Sequence, residues 1–156
     1  MNLLIYLETP LNTLLETEMS NIAVGDADGL VALADEKDGN HERAQKISEW
    51  LLAKGFEIIF PNTAILEAIT ALKRAKNLPE KAHFINKQYQ AGAFTTVFVD
   101  ETTQRQASIR FEKTDSKKNT IFDCIVIETA IKFDTKVIFS FDDFFTKQKF
   151  QLAGKK

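Results

Sequence analysis

Apolar residues in this chain come in short runs that alternate between two spacings. Ile22–Gly25, Phe56–Phe60, Thr95–Val99 and Lys136–Phe139 are compact runs bounded by polar residues, Gly or Pro. Such runs predict strands. The stretches between them carry apolar residues at helical spacing. In His41–Lys54, Ala44, Ile47, Leu51 and Leu52 fall near one face, and Gly55 ends the run. Leu30–Ala34, Thr63–Lys73, Glu80–Gln90 and Glu101–Phe111 predict further helices. Asn62 is the expected cap of Thr63–Lys73, and Pro79 opens Glu80–Gln90. Ile121–Phe133 is almost wholly apolar, which predicts a helix at the centre of the fold. Strands alternating with helices predict an α/β domain whose parallel sheet is covered on both faces. In such sheets active sites gather at the carboxyl ends of the strands.

Residues 1–18 stand apart. Leu11, Leu14 and Leu15 could form one amphipathic turn, but the first strong strand signal comes at Ile22. Two readings stand: an extension ahead of a natural start at Met19, or an N-terminal helix packed on the domain. The 156 residues suffice for one domain with a sizeable core. Thirteen Phe point to an aromatic-rich interior. A net charge of −2 excludes a global attraction to nucleic acid, so any such contact needs a local basic patch. The single cysteine, Cys124, excludes an internal disulfide and a cysteine-only zinc site, and it fits a reducing compartment. The opening stretch has no basic start and is broken by Glu8 and Pro10, unlike a signal peptide. No apolar run approaches the about 20 residues that span a bilayer. The expectation is a cytoplasmic protein with no membrane partner.

Acidic residues at the ends of the apolar runs carry the chemistry. Asp26 and Asp28 follow the first strand, and Asp142-Asp143 follow the last. Glu67 lies inside a helix on a stripe of small residues, with Ala64 and Ala71 at i−3 and i+4. Asp123 shares its helical face with Val126, Ile127 and Ala130, which a solvated face would not. Each has a bland alternative. Asp26 suits a helix N-cap, Glu67 a solvated helix face, Asp123 a first helical turn capped by Thr120, and Asp142-Asp143 a tight turn. A carboxylate at the edge of a core is costly unless its charge is compensated. Four such positions together point to a divalent metal site.

Other residues fit structural roles. Cys124 reads as core rather than nucleophile, because no His is near in sequence. His41 and His83 lie in separate helices without partners at ligand spacing. Basic residues cluster at Lys73, Arg74 and Lys76 and again at Lys117 and Lys118. They read either as ordinary surface or as the phosphate contacts that an acidic site cannot supply.

The order of these motifs resembles the PIN domain, most closely the toxin-type (VapC-like) ribonucleases, over about residues 20–150. The family's strand followed by Asp-x-Asn/Ser reads here Val24-Gly25-Asp26-Ala27-Asp28. Its Asp-x-x-His-x-x-Ala reads Asp38-Gly39-Asn40-His41-Glu42-Arg43-Ala44, and its helical Glu matches Glu67. Its Asp-led apolar helix runs from Phe122-Asp123 to Ala130, and its closing Thr/Ser-x-Asp-x-x-Phe is Ser140-Phe141-Asp142-Asp143-Phe144-Phe145. Asp28 stands where Asn or Ser is usual. Phe144 takes a place often held by a further acid, so the fourth acidic role stays open between Asp142 and Asp143.

The resemblance implies a three-layer α/β/α sandwich over residues 19–156 and metal-dependent cleavage of RNA. It implies Asp26, Glu67, Asp123 and Asp142 as catalytic residues, with Asp26, Asp123, Asp142 and Asp143 as ligands of Mg²⁺ or Mn²⁺. Asp28 and Ser140 would orient water or ligands. It also implies a homodimer and, for a toxin-type member, a small antitoxin partner. Two other readings are a non-catalytic RNA- or protein-binding module on the same fold, and a phosphatase of the haloacid-dehalogenase type. The second accounts for Asp26-Ala27-Asp28-Gly29 and Asp142-Asp143, but leaves Glu67, Asp123 and the His41 segment without a role.

Overall fold

The computed structural model describes residues 21–155. The segment containing Leu11, Leu14, Leu15 and Met19, with both readings of it, lies outside the described residues. In chain order the elements are β1 (Ile22–Gly25), α1 (Ala27–Ala34), α2 (His41–Ala53), β2 (Glu57–Pro61), α3 (Asn62–Arg74) and α4 (Pro79–Gln90). β3 (Thr95–Val97), α5 (Glu101–Phe111), α6 (Ile121–Lys132), β4 (Val137–Phe139), α7 (Phe144–Lys147) and β5 (Gln151–Leu152) follow. The five strands form one parallel sheet in the order β3-β2-β1-β4-β5. The expected α/β/α sandwich with a central parallel sheet is therefore the observed architecture.

Alternation along the strands explains the layers. Val24, Ile59 and Ile138 point to one face and pack with Val126, Ile127 and Ala130 of α6. Their neighbours point the other way: Phe60 packs among α1, α3 and α4, and Ala23 and Phe139 pack with Ala44, Ile47 and Leu51 of α2. α5 lies outside α6, joined to it through Ala107, Cys124 and Ile125. Helix α6 is thus buried from two sides, the physical reason for its continuous apolar run. Among the described residues no helix is long and apolar enough to cross a membrane.

Two expectations need correction. Asn62 is the first residue of α3 rather than its cap; Pro61 precedes the helix, and the Asn62 side chain instead accepts a hydrogen bond from the Val99 N–H at 3.0 Å. Helix α1 begins at Ala27, earlier than Leu30, because Asp26 caps it. After β4, where sequence predicted no further element, α7 and the edge strand β5 complete the sheet.

One glycine sets how closely the layers approach. A Cβ built on Gly25 would lie 2.2 Å from Cε1 of the buried Phe60 ring, which packs edge-on against Phe94. Gly25→Ala is therefore expected to cost roughly 1–3 kcal/mol through displacement of that ring. A denaturant midpoint equal to wild type would show that Phe60 can move freely.

Candidate active site

From β1 the chain steps outwards to β2 and β3, then returns to β4 on the other side of β1. The crevice between β1 and β4 is the topological switch point, where open α/β sheets bind ligands. The Asp26 N–H donates to the Phe139 carbonyl at 3.1 Å, tying the two strand ends together. Both acidic motifs leave the sheet here.

Asp26 caps α1, with Oδ1 accepting from the Ala27 N–H at 2.8 Å, yet its side chain is almost wholly buried. The cap role and the buried-acid role coincide. Burial, then the charges of Asp28 and Asp123, push its carboxyl well above the usual range. Asp28 is raised chiefly by burial as well. Its Oδ2 accepts from the Phe141 N–H at 2.8 Å, while its Oδ1 is buried without a partner.

Ser140 links the two motifs. Its hydroxyl lies 3.2 Å from Asp26 Oδ2 and 2.9 Å from Asp28 Oδ2, and its Oγ accepts from the Asp142 N–H at 3.1 Å. A hydroxyl carries one hydrogen, so it cannot donate fully to both carboxylates. Either one acid holds a proton or a cation offsets the charge.

Asp123 occupies the third position of α6. Its Oδ2 accepts from the Thr120 N–H at 2.6 Å, and its own N–H donates to Thr120 Oγ1 at 3.4 Å, forming a capping box. Burial raises this carboxyl, and the charge of Asp142 adds to the rise. Glu67 reaches the cluster from α3. Burial, then the charges of Asp123 and Asp28, push it up to about 7.

Asp142 therefore faces the cluster, since its charge bears on both Asp28 and Asp123. Its Oδ1 also accepts from the Phe144 N–H at 2.8 Å. Asp143 borders the same cleft as Asp142, with its carboxylate engaged by a cation. It pairs with Lys155 at 2.6 Å, which lowers its pKa.

The donor set is all oxygen, which suits a hard divalent cation such as Mg²⁺ or Mn²⁺. The orphaned Asp28 Oδ1 and the mutual repulsion fit the same kind of ion. Among the described residues, however, no three acidic, His or Cys side chains already converge as a preformed ligand group. The carboxylates interact through charge rather than through a shared point.

Titration of Glu67 has a testable sign. Its pKa rises from 4.5 to about 7 on folding, so the folded state holds a proton that the unfolded state has released. The associated stability is present below about pH 4.5 and is lost as pH rises towards 7. Glu67→Gln removes this loss. In chelator, the variant is expected to melt like wild type at pH 4.5 but higher at pH 8, by roughly 1–2 kcal/mol or about 5 °C after solvent screening. Parallel melting curves at both pH values would show that Glu67 does not feel the cluster.

A cleft of about 490 Å³ opens beside the acids and is lined by Asp28, Asp142, Lys118 and Lys147, among others. A second, of about 380 Å³, borders Glu67, Leu66 and Phe122. Of the basic residues singled out above, Lys118 lines the first cleft. Lys73, Arg74 and Lys117 are exposed. Lys76 is held by Asp38 at 2.8 Å and Asp35 at 3.6 Å, so its charge is committed to the turn between α1 and α2. Lys147, not singled out above, reaches the cleft from the four-residue helix α7.

The remaining motif residues are structural. His41 Nδ1 lies 2.7 Å from the Ala32 carbonyl and ties α2 to α1. His83 is exposed on α4. Cys124 is buried, and burial pushes its thiol up to about 11, which suits core rather than a nucleophile.

Comparison with known proteins adds an independent line. No curated protein sequence matches the chain. Among solved structures it is similar to the Mycobacterium tuberculosis toxin VapC20, described as cleaving the sarcin-ricin loop. The TM-score is 0.73 at 18% identity, covering 84% of this chain and 97% of that one, a likeness of fold. The PIN domain family profile matches residues 24–151. That match sets aside the phosphatase resemblance, which left Glu67 and Asp123 unused, and the chain belongs to the PIN domain family.

Proposed function

We propose that this protein is a metal-dependent endoribonuclease and the toxin of a toxin–antitoxin pair. The observation that carries the reading is the gathering of Asp26, Glu67, Asp123 and Asp142 at the switch point, with raised pKa values at the first three. Clustered like charges only destabilise a fold unless something binds them. The PIN family match, and the RNA-cleaving description of the similar VapC20, support RNA as the substrate class.

Asp26, Asp123 and Asp142 would hold Mg²⁺ or Mn²⁺, with Glu67 completing the set. A bound ion supplies a polarised water and neutralises charge at the scissile phosphate. The chain's own residues do the rest. Ser140 fixes the Asp26 and Asp28 carboxylates against each other, and the Phe141 N–H holds Asp28 so that its free oxygen can accept from a water. The capping box keeps Asp123 from turning away. Asp143, a possible ligand from sequence, pairs with Lys155, which favours Asp142 for the fourth position. Lys118 and Lys147 supply positive charge where the phosphate backbone would enter.

Leu66 and Phe122, 50% and 38% exposed beside the Glu67 cleft, offer an apolar surface to the small antitoxin or a second subunit. The proposed setting is the cytoplasm. The direct test is cleavage of single-stranded RNA with Mg²⁺ or Mn²⁺, with and without chelator, in wild type and Glu67→Gln. The expected result is cleavage by wild type alone, abolished by chelation. Cleavage that survives both changes would refute the assignment.

A further inference from the structure

Helix α2 carries Arg43, Lys46, Ile47 and Trp50 at spacings of three, four and seven, which places them on one face. With Gln151, Gly154 and Lys155 at the sheet edge they line a groove of about 470 Å³. Trp50 stacks on Phe56 with ring centroids 6.2 Å apart, yet remains 44% exposed.

The groove and the acidic cleft share no lining residue, but two side-chain contacts join their walls. The Arg43 guanidinium sits 5.2 Å from the centre of the Phe141 ring, and the Phe141 N–H is bonded to Asp28. Lys155, on the groove wall, pairs with Asp143, which lines the acidic cleft. A strand leaving the acids for Lys46 and Trp50 would cross the Phe141–Arg43 contact. Positive charges beside an exposed aromatic ring match the chemistry of single-stranded nucleic acid: phosphates meet the cations, and a base stacks on the ring.

We propose that this groove is a subsite for the single-stranded RNA flanking the cleavage point, with Trp50 stacking one base and Arg43 and Lys46 holding adjacent phosphates. The proposal rests on the nuclease reading, and it places recognition on a face that the catalytic acids do not occupy. The competing occupant is the chain's own N-terminal segment, which carries Glu8, Glu16 and Glu18 and no Lys or Arg before Asn21.

Trp50 is the only tryptophan, so intrinsic fluorescence reports on this groove alone. In the cleavage-silenced Asp123→Asn protein, a single-stranded oligoribonucleotide should quench Trp50 saturably. Arg43→Ala and Lys46→Ala should each flatten the salt dependence of binding by about 0.7 of a unit of slope. In separate binding measurements with a labelled oligonucleotide, Trp50→Ala should weaken binding about 5- to 100-fold, and Trp50→Phe should restore most of it. Melting curves of each variant establish that it is folded. Absent quenching, with wild type still cutting RNA, overturns the subsite and leaves the nuclease reading intact. Quenching, with wild type unable to cut, supports an RNA-binding groove and removes the nuclease reading. If oligonucleotide leaves Trp50 unchanged but deletion of residues 1–20 shifts its emission, the chain's own segment fills the groove and the proposal fails.

Discussion

Asp123→Asn is expected to lower RNA cleavage by about 10³-fold or more while raising the melting temperature of the metal-free protein by about 3 °C. The activity loss follows from removing a carboxylate ligand, which forfeits several kcal/mol of charge stabilisation at the scissile phosphate. The stability gain has a separate cause. The Asp123 charge raises both Asp26 and Glu67, so neutralising it relieves repulsion worth roughly 1 kcal/mol. An Asn side-chain oxygen can still accept from the Thr120 N–H, so the helix cap survives. Cleavage rates and melting curves measured on the same preparation separate the two effects. A variant that cuts RNA at the wild-type rate would remove Asp123 from the site.

Divalent metal is expected to stabilise wild type by about 2.7 kcal/mol at a hundredfold excess over its dissociation constant, or roughly 8 °C. Asp26→Asn should lose most of that shift. Asp26 is buried between Ala27 and Ser140 and repelled by Asp28 and Asp123, so it gains most from a counter-charge. The shift should also grow from pH 6 to pH 8. Glu67 sits at about 7, so a cation must displace its proton below neutrality and meets an ionised carboxylate above it. Thermal melts with Mg²⁺ and Mn²⁺ at both pH values decide the matter. Equal shifts in wild type and Asp26→Asn would show that Asp26 is no ligand.

Much of this arrangement was legible in sequence because it rests on local signals. Helix and strand periods, with Gly55 and Pro79 as punctuation, located the main elements, and α6 announced its central place by its apolar run. Asp26, Asp28, Asp123 and Asp142 were visible because strand ends and first helical turns are positions that any parallel sheet brings to one edge, whereas Glu67, inside α3, was marked only by its stripe of small residues. Even the doubled reading of Asp26 was readable, since a residue after a strand and before a helix can cap the helix and still face the crevice.

Tertiary structure decided what depends on direction rather than position. Asp142 and Asp143 are neighbours of one type, and sequence could not separate them; the turn after β4 aims Asp142 at the cluster and Asp143 at Lys155. Lys76 looked like a free phosphate contact until the fold set it against Asp35 and Asp38, distant in sequence. The shared hydroxyl of Ser140 depends on β1 and β4 being adjacent, which no local pattern encodes. The four-residue helix α7 and the two-residue strand β5 are too short to show a period, and only their packing against the sheet edge defines them. Residue types and spacings settled which groups were available. Strand order and side-chain direction settled which of them meet, because contacts across more than a hundred residues form only when the whole sheet has closed.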